Sequence, residues 1–238
     1  MKLLYNEDCL KTLQRDIEYD YVVASPPDFN EITGDSKTNF SYTDFLKSFA
    51  ELLNPKGNFV SICISDRKSG GQVISKHSMV IDVFKSLGWI LHTHKIWVKS
   101  TGTDMFRMNY QHLLTFSRNK QARKLTSDFR PDVFIVNQSK WNSYSYGMPV
   151  RIIELLVNNY TDKGNIVYDP FMGSGTTAEA CINTNRKWVG SEIDKEYCEI
   201  IEDRISYIDD SVEKMIDAEL EKLGIPMPGT IDSFMVDK

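Results

Sequence analysis

The sequence predicts an α/β fold built on a doubly wound, mostly parallel β-sheet with one small insert. Short apolar runs alternate with helical patterns, which is typical of βαβ units, and a glycine-rich turn follows one of these runs. A chain of 238 residues is long enough for one such domain. The predicted strands cover residues 2–5, 19–24, 58–64, 89–98, 110–116, 133–136, 165–168 and 188–192. The predicted helices cover residues 42–53, 78–87, 149–160, 176–184 and 195–223.

Breaker residues place the ends of these elements. The helix at 42–53 stops at the sequence NPKG (54–57), which combines a helix breaker with a turn before the next strand. The helix at 176–184 stops at NTNR (183–186), again a turn into a strand. The polar segment NEITGDSKTNFS (30–41) follows a Pro-Pro pair and is predicted to be a mobile lid. The tail after Gly224 carries no strong pattern.

Composition indicates an ordinary globular chain, with 41% hydrophobic and 26% charged residues. No run approaches the roughly 20 apolar residues of a membrane helix, and the amino terminus turns acidic too early for a signal peptide. The four cysteines, Cys9, Cys63, Cys181 and Cys198, are far apart in the sequence. Their spacing predicts reduced thiols in a cytoplasmic protein, with no disulfide framework and no metal site.

The net charge of −5 is unevenly distributed. Between residues 95 and 140, nine basic residues face only three acidic ones. Such a basic stretch in an acidic chain is typical of a polyanion-binding face, and it is equally compatible with a solvated surface. Charge alone therefore leaves both interpretations open.

The segment DPFMGSGTT (169–177) lies at the carboxyl end of a predicted strand and opens a helix. Ligands of doubly wound sheets bind at such strand ends, and glycines let the backbone approach a ligand closely. The turn lacks the lysine of a phosphate loop and the third glycine of a dinucleotide fingerprint. The carboxylate of Asp169 can pair with a ligand ammonium. Glu192, which ends the next strand, can bind ribose hydroxyls, whereas Asp194 is expected to cap the following helix.

This segment resembles the S-adenosyl-L-methionine (SAM) binding motif of amino-group DNA methyltransferases, and a second signature of that family is present. Ser25-Pro26-Pro27 follows the predicted strand at 19–24 and resembles the family's Ser/Asp/Asn-Pro-Pro-aromatic motif. Its position before the glycine motif is the circularly permuted order of the β group. The resemblance implies a Rossmann-like SAM-dependent methyltransferase fold over residues 1–238. It assigns SAM contacts to Asp169, Phe171, Gly173, Ser174, Gly175, Thr176, Thr177 and Glu192.

The chain departs from the family immediately after the prolines. Position 28 is Asp where an aromatic residue is usual, and the aromatic follows one residue later as Phe29. Ser25, Pro26, Pro27, Asp28 and Phe29 are the candidate catalytic residues. Three interpretations stay open: Phe29 stacks on the target base, Asp28 accepts a proton, or Asp28 only caps the turn.

Weaker similarities add further candidates. The sequence NEDCL (6–10) resembles an adenine-contacting step of the family and adds Asp8 and Cys9 to the cofactor residues, and Pro149 matches a proline that precedes a helix. His112 lies in a segment that resembles a strand beside the active site. Residues 101–147 form the predicted target-recognition insert. The basic residues expected to contact DNA are Lys95, Lys99, Arg107, Arg118, Lys120, Arg123, Lys124 and Arg130, together with His112.

The resemblance implies methyl transfer from SAM to an exocyclic amino group in double-stranded DNA. A serine before Pro-Pro favours cytosine-N4 over adenine-N6. Two alternatives are a DNA-binding protein of the same fold without methyl transfer, and a methyltransferase acting on RNA or a modified base. The resemblance further suggests two partners, a second copy of the chain in a homodimer and a cognate restriction enzyme.

Overall fold

The computed structural model describes residues 2–32, 42–99, 108–120, 123–137 and 147–222; within these ranges the side chains of residues 2, 29, 30, 209, 210 and 212–221 are not described. The strands are β1 (Lys2–Asn6), β2 (Tyr21–Ala24), β3 (Phe59–Ile64), β4 (Arg67–Ser69), β5 (Gln72–Ile74), β6 (Ile90–Val98), β7 (Tyr110–Ser117), β8 (Val133–Ile135), β9 (Ile166–Asp169) and β10 (Lys187–Glu192). The helices are α1 (Cys9–Thr12), α2 (Phe29–Ile32), α3 (Tyr42–Leu52), α4 (Lys76–Ser86), α5 (Val150–Tyr160), α6 (Thr176–Asn183) and α7 (Lys195–Lys222).

Eight strands form one mixed sheet in the order β1-β10-β9-β2-β3-β7-β6-β8. The five strands from β1 to β3 are parallel, β7 runs antiparallel to both of its neighbours, and β8 pairs in parallel with β6 at the edge. The predicted doubly wound, mostly parallel sheet is therefore confirmed. All eight predicted strands are present, with ends shifted by at most two residues.

Two apolar layers cover the sheet, one on each face. One contains side chains of α1, α3 and α4, such as Phe49 and Phe84. The other contains side chains of α5, α6 and α7, such as Leu156, Ala178 and Ile201. Because both faces are covered, β2 and β3 are buried at every position, which explains why they appear in the sequence as continuous apolar runs.

The centre of the sheet contains a topological switch point between β2 and β9. The chain leaves β2 through α3 toward β3 on one side, and leaves β9 through α6 toward β10 on the other. Parallel neighbours whose connections diverge in this way leave a crevice at their carboxyl ends, where doubly wound folds bind ligands. Ser25 follows β2 and Pro170 follows β9, so the two sequence motifs lie at this crevice.

Several elements differ from the sequence predictions. The β4–β5 hairpin was not predicted, because each of its strands has only three residues and none of them is buried. Gly70 and Gly71 both adopt positive φ angles, of 58° and 74°, as a type I′ hairpin turn requires. The range 101–147, expected as an insert at the sheet edge, supplies β7 inside the sheet and β8 at its edge. Its role in target recognition stays a prediction.

Some predicted features lie wholly or partly outside the described residues. Of the predicted lid at 30–41, residues 30–32 belong to α2 and the remainder lies outside the described ranges, as do Arg107 and the tail after Gly224. Within the described residues, no helix combines the length and apolar character needed to cross a membrane.

Candidate active site

The two motifs predicted from the sequence line one cavity of about 550 Å³ at the switch point. Ser25, Pro26 and Asp28 form one side, from the turn after β2. Asp169 and six of the eight residues that follow it form another side, from the turn between β9 and α6. The structure therefore brings together two segments that are separated by about 140 residues in the sequence.

Asp169 is buried at the floor of this cavity. One carboxylate oxygen accepts a hydrogen bond from the backbone N–H of Phe171 at 2.9 Å, and the other accepts a hydrogen bond from the hydroxyl of Thr177 at 2.5 Å. Burial raises the pKa of Asp169 to about 6, because the apolar surroundings penalise the charged form. A carboxylate held in this way can interact with a positively charged ligand group, and the nearby cation would favour its ionised form.

The glycine turn depends on its two predicted glycines. Gly173 and Gly175 adopt φ angles of 50° and 79°, a region that residues with a Cβ rarely adopt. A Cβ at Gly175 would also lie 3.3 Å from the side chain of Ile201. A third glycine was missed: a Cβ at Gly190 on β10 would collide with the side chain of Met172. The turn is thus shaped by close packing against β10 and α7.

Two charged residues from distant segments hold the same turn. Glu192 accepts hydrogen bonds from the backbone N–H groups of Gly173 at 2.8 Å and Asp194 at 3.0 Å. Arg204 on α7 is buried; it donates to the carbonyl oxygen of Ser174 at 2.8 Å and forms an ion pair with Glu179 at 2.6 Å. The sequence singled out Glu192 for ligand binding only, and it gave no signal for Arg204.

Asp28 is anchored by two cations. Its carboxylate lies 3.2 Å from Nη1 of Arg67 at the start of β4 and 3.1 Å from Nζ of Lys76 at the start of α4. The carbonyl of Asp28 accepts from the N–H of Glu31, and the Glu31 carboxylate accepts from the N–H of Asp28 at 2.7 Å. The backbone of Asp28 therefore caps α2, and its carboxylate also pairs with two cations, so Asp28 does more than the capping role that one interpretation gave it.

Ser25 presents a different environment from Asp28. It is exposed at the mouth of the cavity, and its hydroxyl makes no hydrogen bond to any residue that the structure describes. Pro26 is buried beside it. The side chain of Phe29 lies outside the described part of the structure, so its predicted stacking role stays a prediction.

A further wall of the cavity was only partly predicted from the sequence. This wall is lined by side chains from α4, from β6 and β7, and from the residues next to β3 and β6. They are Lys76 on α4, Trp97 on β6, Gln111 on β7, Ser65 after β3 and Lys99 after β6. Nζ of Lys99 donates to the Ser65 hydroxyl at 2.8 Å. Lys99 was predicted to contact DNA phosphates; the structure places it in the cavity wall. Gln111 belongs to the segment that resembles a strand beside the active site, whereas the other three carried no motif.

Three of the weaker cofactor candidates do not line the cavity. Asp8 caps α1 by accepting from the N–H of Leu10 at 2.8 Å. Cys9 is buried in the apolar core, and burial raises the pKa of its thiol well above the usual value. Pro149 is buried directly before α5. Asp194 caps α7, as predicted, by accepting from the N–H of Glu196 at 2.8 Å.

Most of the basic residues predicted to contact DNA do not lie at the cavity. Ser117 at the end of β7 pairs with Phe59 at the start of β3. Arg118 and Lys120, which follow β7, therefore lie near the amino-terminal ends of the parallel strands. Arg123, next to Lys124, binds Asp162 at 3.1 Å just before β9. The cavity lies at the carboxyl ends of the parallel strands, whereas these basic residues lie at the opposite, amino-terminal ends. The reason is that β7 runs antiparallel to the strands that carry the two motifs.

Three other predicted DNA contacts have different environments. Lys95 is buried, with Nζ bound to the carbonyl oxygen of Pro131 at 2.9 Å and to Asp132 at 3.1 Å, and it is not available to a phosphate. His112 is buried in β7, and burial lowers its pKa to about 4, so the ring is neutral at pH 7. Arg130 is exposed just before β8.

Comparison with known proteins gives one family. The family model described as DNA methylase matches residues 19–203. Type II methyltransferase M.BglII of Bacillus subtilis is 25% identical over 243 residues, which cover 83% of this chain and 67% of that protein. The matches to the first four curated relatives span between 22% and 67% of the relatives' own lengths.

Solved structures confirm the predicted Rossmann-like methyltransferase fold. TTHA0409 of Thermus thermophilus, solved in complex with S-adenosyl-L-methionine, has a TM-score of 0.69 at 20% identity; the match covers 87% of this chain and 94% of that chain. The PvuII DNA methyltransferase, named cytosine-N4-specific, has a TM-score of 0.69 at 18% identity and covers 82% of each chain.

Proposed function

This chain belongs to the DNA methylase family, and from that premise we propose that it transfers a methyl group from SAM to an exocyclic amino group of a base in double-stranded DNA. One observation carries the proposal. The Ser25-Pro26-Pro27 turn and the glycine turn at 169–177 leave neighbouring strands and line the same cavity. A cofactor held by one turn and an amine held by the other would meet there.

The residues of the glycine turn suit SAM. The buried Asp169 carboxylate supplies the negative charge that the ligand ammonium needs. Gly173 and Gly175 bring the backbone close to the ligand, and Glu192 fixes that backbone while keeping lone pairs for ribose hydroxyls. Bound SAM would supply an electrophilic methyl carbon. Asp8 and Pro149 are proposed as outer contacts, and Cys9 as a packing residue beneath them.

The Ser25-Pro26-Pro27 turn suits an exocyclic amine. The nitrogen lone pair of such an amine is delocalised into the base, which makes it a poor nucleophile. We assign to the Ser25 hydroxyl oxygen and a backbone carbonyl of the turn the role of accepting hydrogen bonds from the two amine N–H groups, which favours a localised lone pair. Prolines fix φ near −65° and so hold these acceptors rigidly. Orientation of this kind supplies a large part of the rate of a group transfer.

A base stacked inside a duplex cannot reach the floor of a cavity, so the target nucleotide must be flipped out. The wall formed by Lys76, Lys99, Gln111, Ser65 and Trp97 then faces the flipped nucleotide. Asp28 acts as a positioning residue: by pairing with Arg67 and Lys76 it fixes the turn relative to that wall. Both of its oxygens are engaged, which argues against a role as proton acceptor.

Cytosine-N4 is the proposed target, in preference to adenine-N6. The support is the serine before Pro-Pro, together with the fold likeness to a cytosine-N4-specific enzyme. A homodimer sharing the duplex, a cognate restriction enzyme and a cytoplasmic location complete the proposal.

The test is transfer of radioactive methyl groups from labelled SAM to duplex DNA, with SAM binding measured in parallel by calorimetry. Wild-type protein should do both, and Asp169→Asn should lose SAM binding. Ser25→Ala should bind SAM normally and transfer at least about tenfold more slowly. SAM binding without transfer to any DNA would instead support a DNA-binding role for the fold, and transfer only to RNA or modified DNA would overturn the proposed substrate.

A further inference from the structure

Three of the four histidines of the chain gather around one buried carboxylate, outside the lining of the active-site cavity. Asp66 follows β3, His77 lies in the first turn of α4, His112 lies in β7 and His94 lies in the neighbouring strand β6. The methyl-transfer proposal uses none of these four side chains. Their convergence from four segments of the chain therefore needs its own explanation.

The ligand atoms of Asp66, His77 and His112 lie close to the spacing that a metal ion requires. Nδ1 of His77 lies 2.8 Å from Oδ2 of Asp66, and Nε2 of His112 lies 3.4 Å from the same oxygen. One such atom from each residue lies within 4.8 Å of the other two. In a tetrahedral zinc site with bonds of about 2.0–2.1 Å, ligand atoms are roughly 3.3 Å apart. Small side-chain movements would bring the three atoms to that geometry.

His112 supplies an independent sign of a missing partner. Its residue is 6% exposed, and Nε2 forms no hydrogen bond with any residue that the structure describes. The 3.4 Å approach to Asp66 lacks hydrogen-bond geometry. A buried ring nitrogen without a partner is costly, and a coordinated cation between this nitrogen, Asp66 and His77 would satisfy it.

The remaining ring nitrogens already have the partners that metal-bound histidines need. Nδ1 of His112 lies 2.9 Å from Nε2 of His94, and Nε2 of His77 lies 3.3 Å from the Ser78 hydroxyl. Asp66 is itself oriented by the backbone N–H of His77, which donates to Oδ1 at 3.1 Å. Hydrogen bonds of this type fix the ring orientation and the tautomer of metal ligands.

We propose that Asp66, His77 and His112 bind one divalent transition-metal ion, with zinc as the preferred ion. Two imidazoles and one carboxylate favour zinc or its transition-metal neighbours, whereas magnesium and calcium prefer all-oxygen sites. The side chain of His77 is 23% exposed, so ions can enter from its side. Three protein ligands leave the fourth tetrahedral position for water.

The site is linked to the active-site cavity through its sequence neighbours. Arg67 follows Asp66 and Lys76 precedes His77, and these are the two cations that pair with Asp28. A metal ion joining Asp66 to His77 would fix β4 and α4 relative to each other. By doing so the ion would help to hold the wall that faces the target nucleotide in the proposed function. Cysteine spacing could not predict it, because no cysteine takes part.

The experiment uses the full chain, treated with a chelator, dialysed, and titrated with zinc chloride by calorimetry, and with cobalt chloride followed by visible absorption. Wild-type protein should bind one ion per chain, show the absorption of four-coordinate cobalt, and gain thermal stability with zinc but not with magnesium. His112→Gln and His77→Ala should abolish stoichiometric binding. His94→Phe, which changes only a supporting residue, should weaken binding about 10- to 100-fold.

His92→Gln is the matched control, because His92 lies on β6 two residues from His94 and outside the cluster; it should bind like wild type. His77 is partly exposed, so His77→Ala is the variant expected to fold normally, which circular dichroism checks. Two results would overturn the proposal: wild-type protein without stoichiometric zinc binding, or unchanged binding by His77→Ala. None of these readouts depends on methyl transfer, so the metal site and the proposed activity can fail separately.

Discussion

Nζ of Lys76 lies 3.1 Å from the carboxylate of Asp28, and the lysine side chain is only 7% exposed. The pair joins the turn after β2 to the first turn of α4. Asp28 follows Ser25-Pro26-Pro27, where the sequence resemblance led us to expect an aromatic residue, so the chain has a charged anchor at that position. Removing one partner leaves the other charge poorly solvated.

Asp28→Asn should lower the rate of methyl transfer about tenfold with little change in SAM affinity, because the turn loses its anchor while the glycine turn is intact. Stability should fall by about 1–3 kcal/mol, since Asn cannot neutralise Lys76. Adding Lys76→Met should restore part of that stability. Asp82→Asn, a change on α4 away from the anchor, is the control. An Asp28→Asn enzyme with wild-type turnover would show that the anchor is unimportant.

Asp169 should make stability depend on pH in a characteristic direction. Its folded-state pKa is raised from 3.8 to about 6, so the ionised form destabilises the ligand-free fold. That penalty is fully present above about pH 6, decreases as the pH falls toward 3.8, and is absent below. Asp169→Asn should therefore stabilise the ligand-free protein by up to about 3 kcal/mol at pH 8.

The advantage of Asp169→Asn over wild type should shrink toward zero near pH 4. Denaturant unfolding of both proteins at several pH values measures the difference between their free energies of unfolding. The other carboxylates titrate alike in both proteins, so their contributions cancel in this difference. A difference that stays constant between pH 8 and pH 4 would contradict the assigned pKa.

Glu192 should matter for SAM through the backbone that it holds. Glu192→Gln keeps the size of the side chain but weakens the hydrogen bonds to the N–H groups of Gly173 and Asp194. SAM affinity should fall about tenfold or more. Glu199→Gln, an exposed change in the first turns of α7, should bind SAM normally. Equal affinities of the two variants would remove Glu192 from the cofactor site.

The position of the basic residues predicts a contrast in DNA binding. Lys99 lines the cavity, so Lys99→Gln should weaken DNA binding and reduce the salt slope by about one. Arg118→Gln combined with Lys120→Gln should leave both quantities unchanged, because these residues lie at the opposite edge of the sheet. Filter binding over a range of salt concentrations measures both. A large loss from the double variant would place the duplex on the other side of the molecule.

The fold and the two central motifs were predictable because their signals are local. The strands β2, β3 and β9 are mainly apolar runs. The motif that follows β2 and the motif that begins at the end of β9 are each one unbroken segment of the sequence. The order of the strands in the sheet then brings Ser25 and Asp169 to the same crevice.

The remaining features depend on tertiary packing. Arg204 reaches the glycine turn from α7, and Lys76 reaches Asp28 from α4; neither lies near its partner in the sequence. The basic residues after β7 could not be placed relative to the cavity from the sequence, because charge does not reveal strand direction. The cluster of Asp66 with the three histidines was missed because its members come from four segments of the chain, and no local sequence spacing indicates that they lie together.

The central claim is transfer of a methyl group from SAM to the exocyclic amine of cytosine. The most direct measurement is mass spectrometry of nucleosides from duplex DNA incubated with the protein and isotopically labelled SAM. The account predicts labelled N4-methylcytosine, absent with Asp169→Asn and strongly reduced with Ser25→Ala. Labelled N6-methyladenine alone would contradict the assigned base, and no labelled nucleoside from any DNA would contradict the proposed activity.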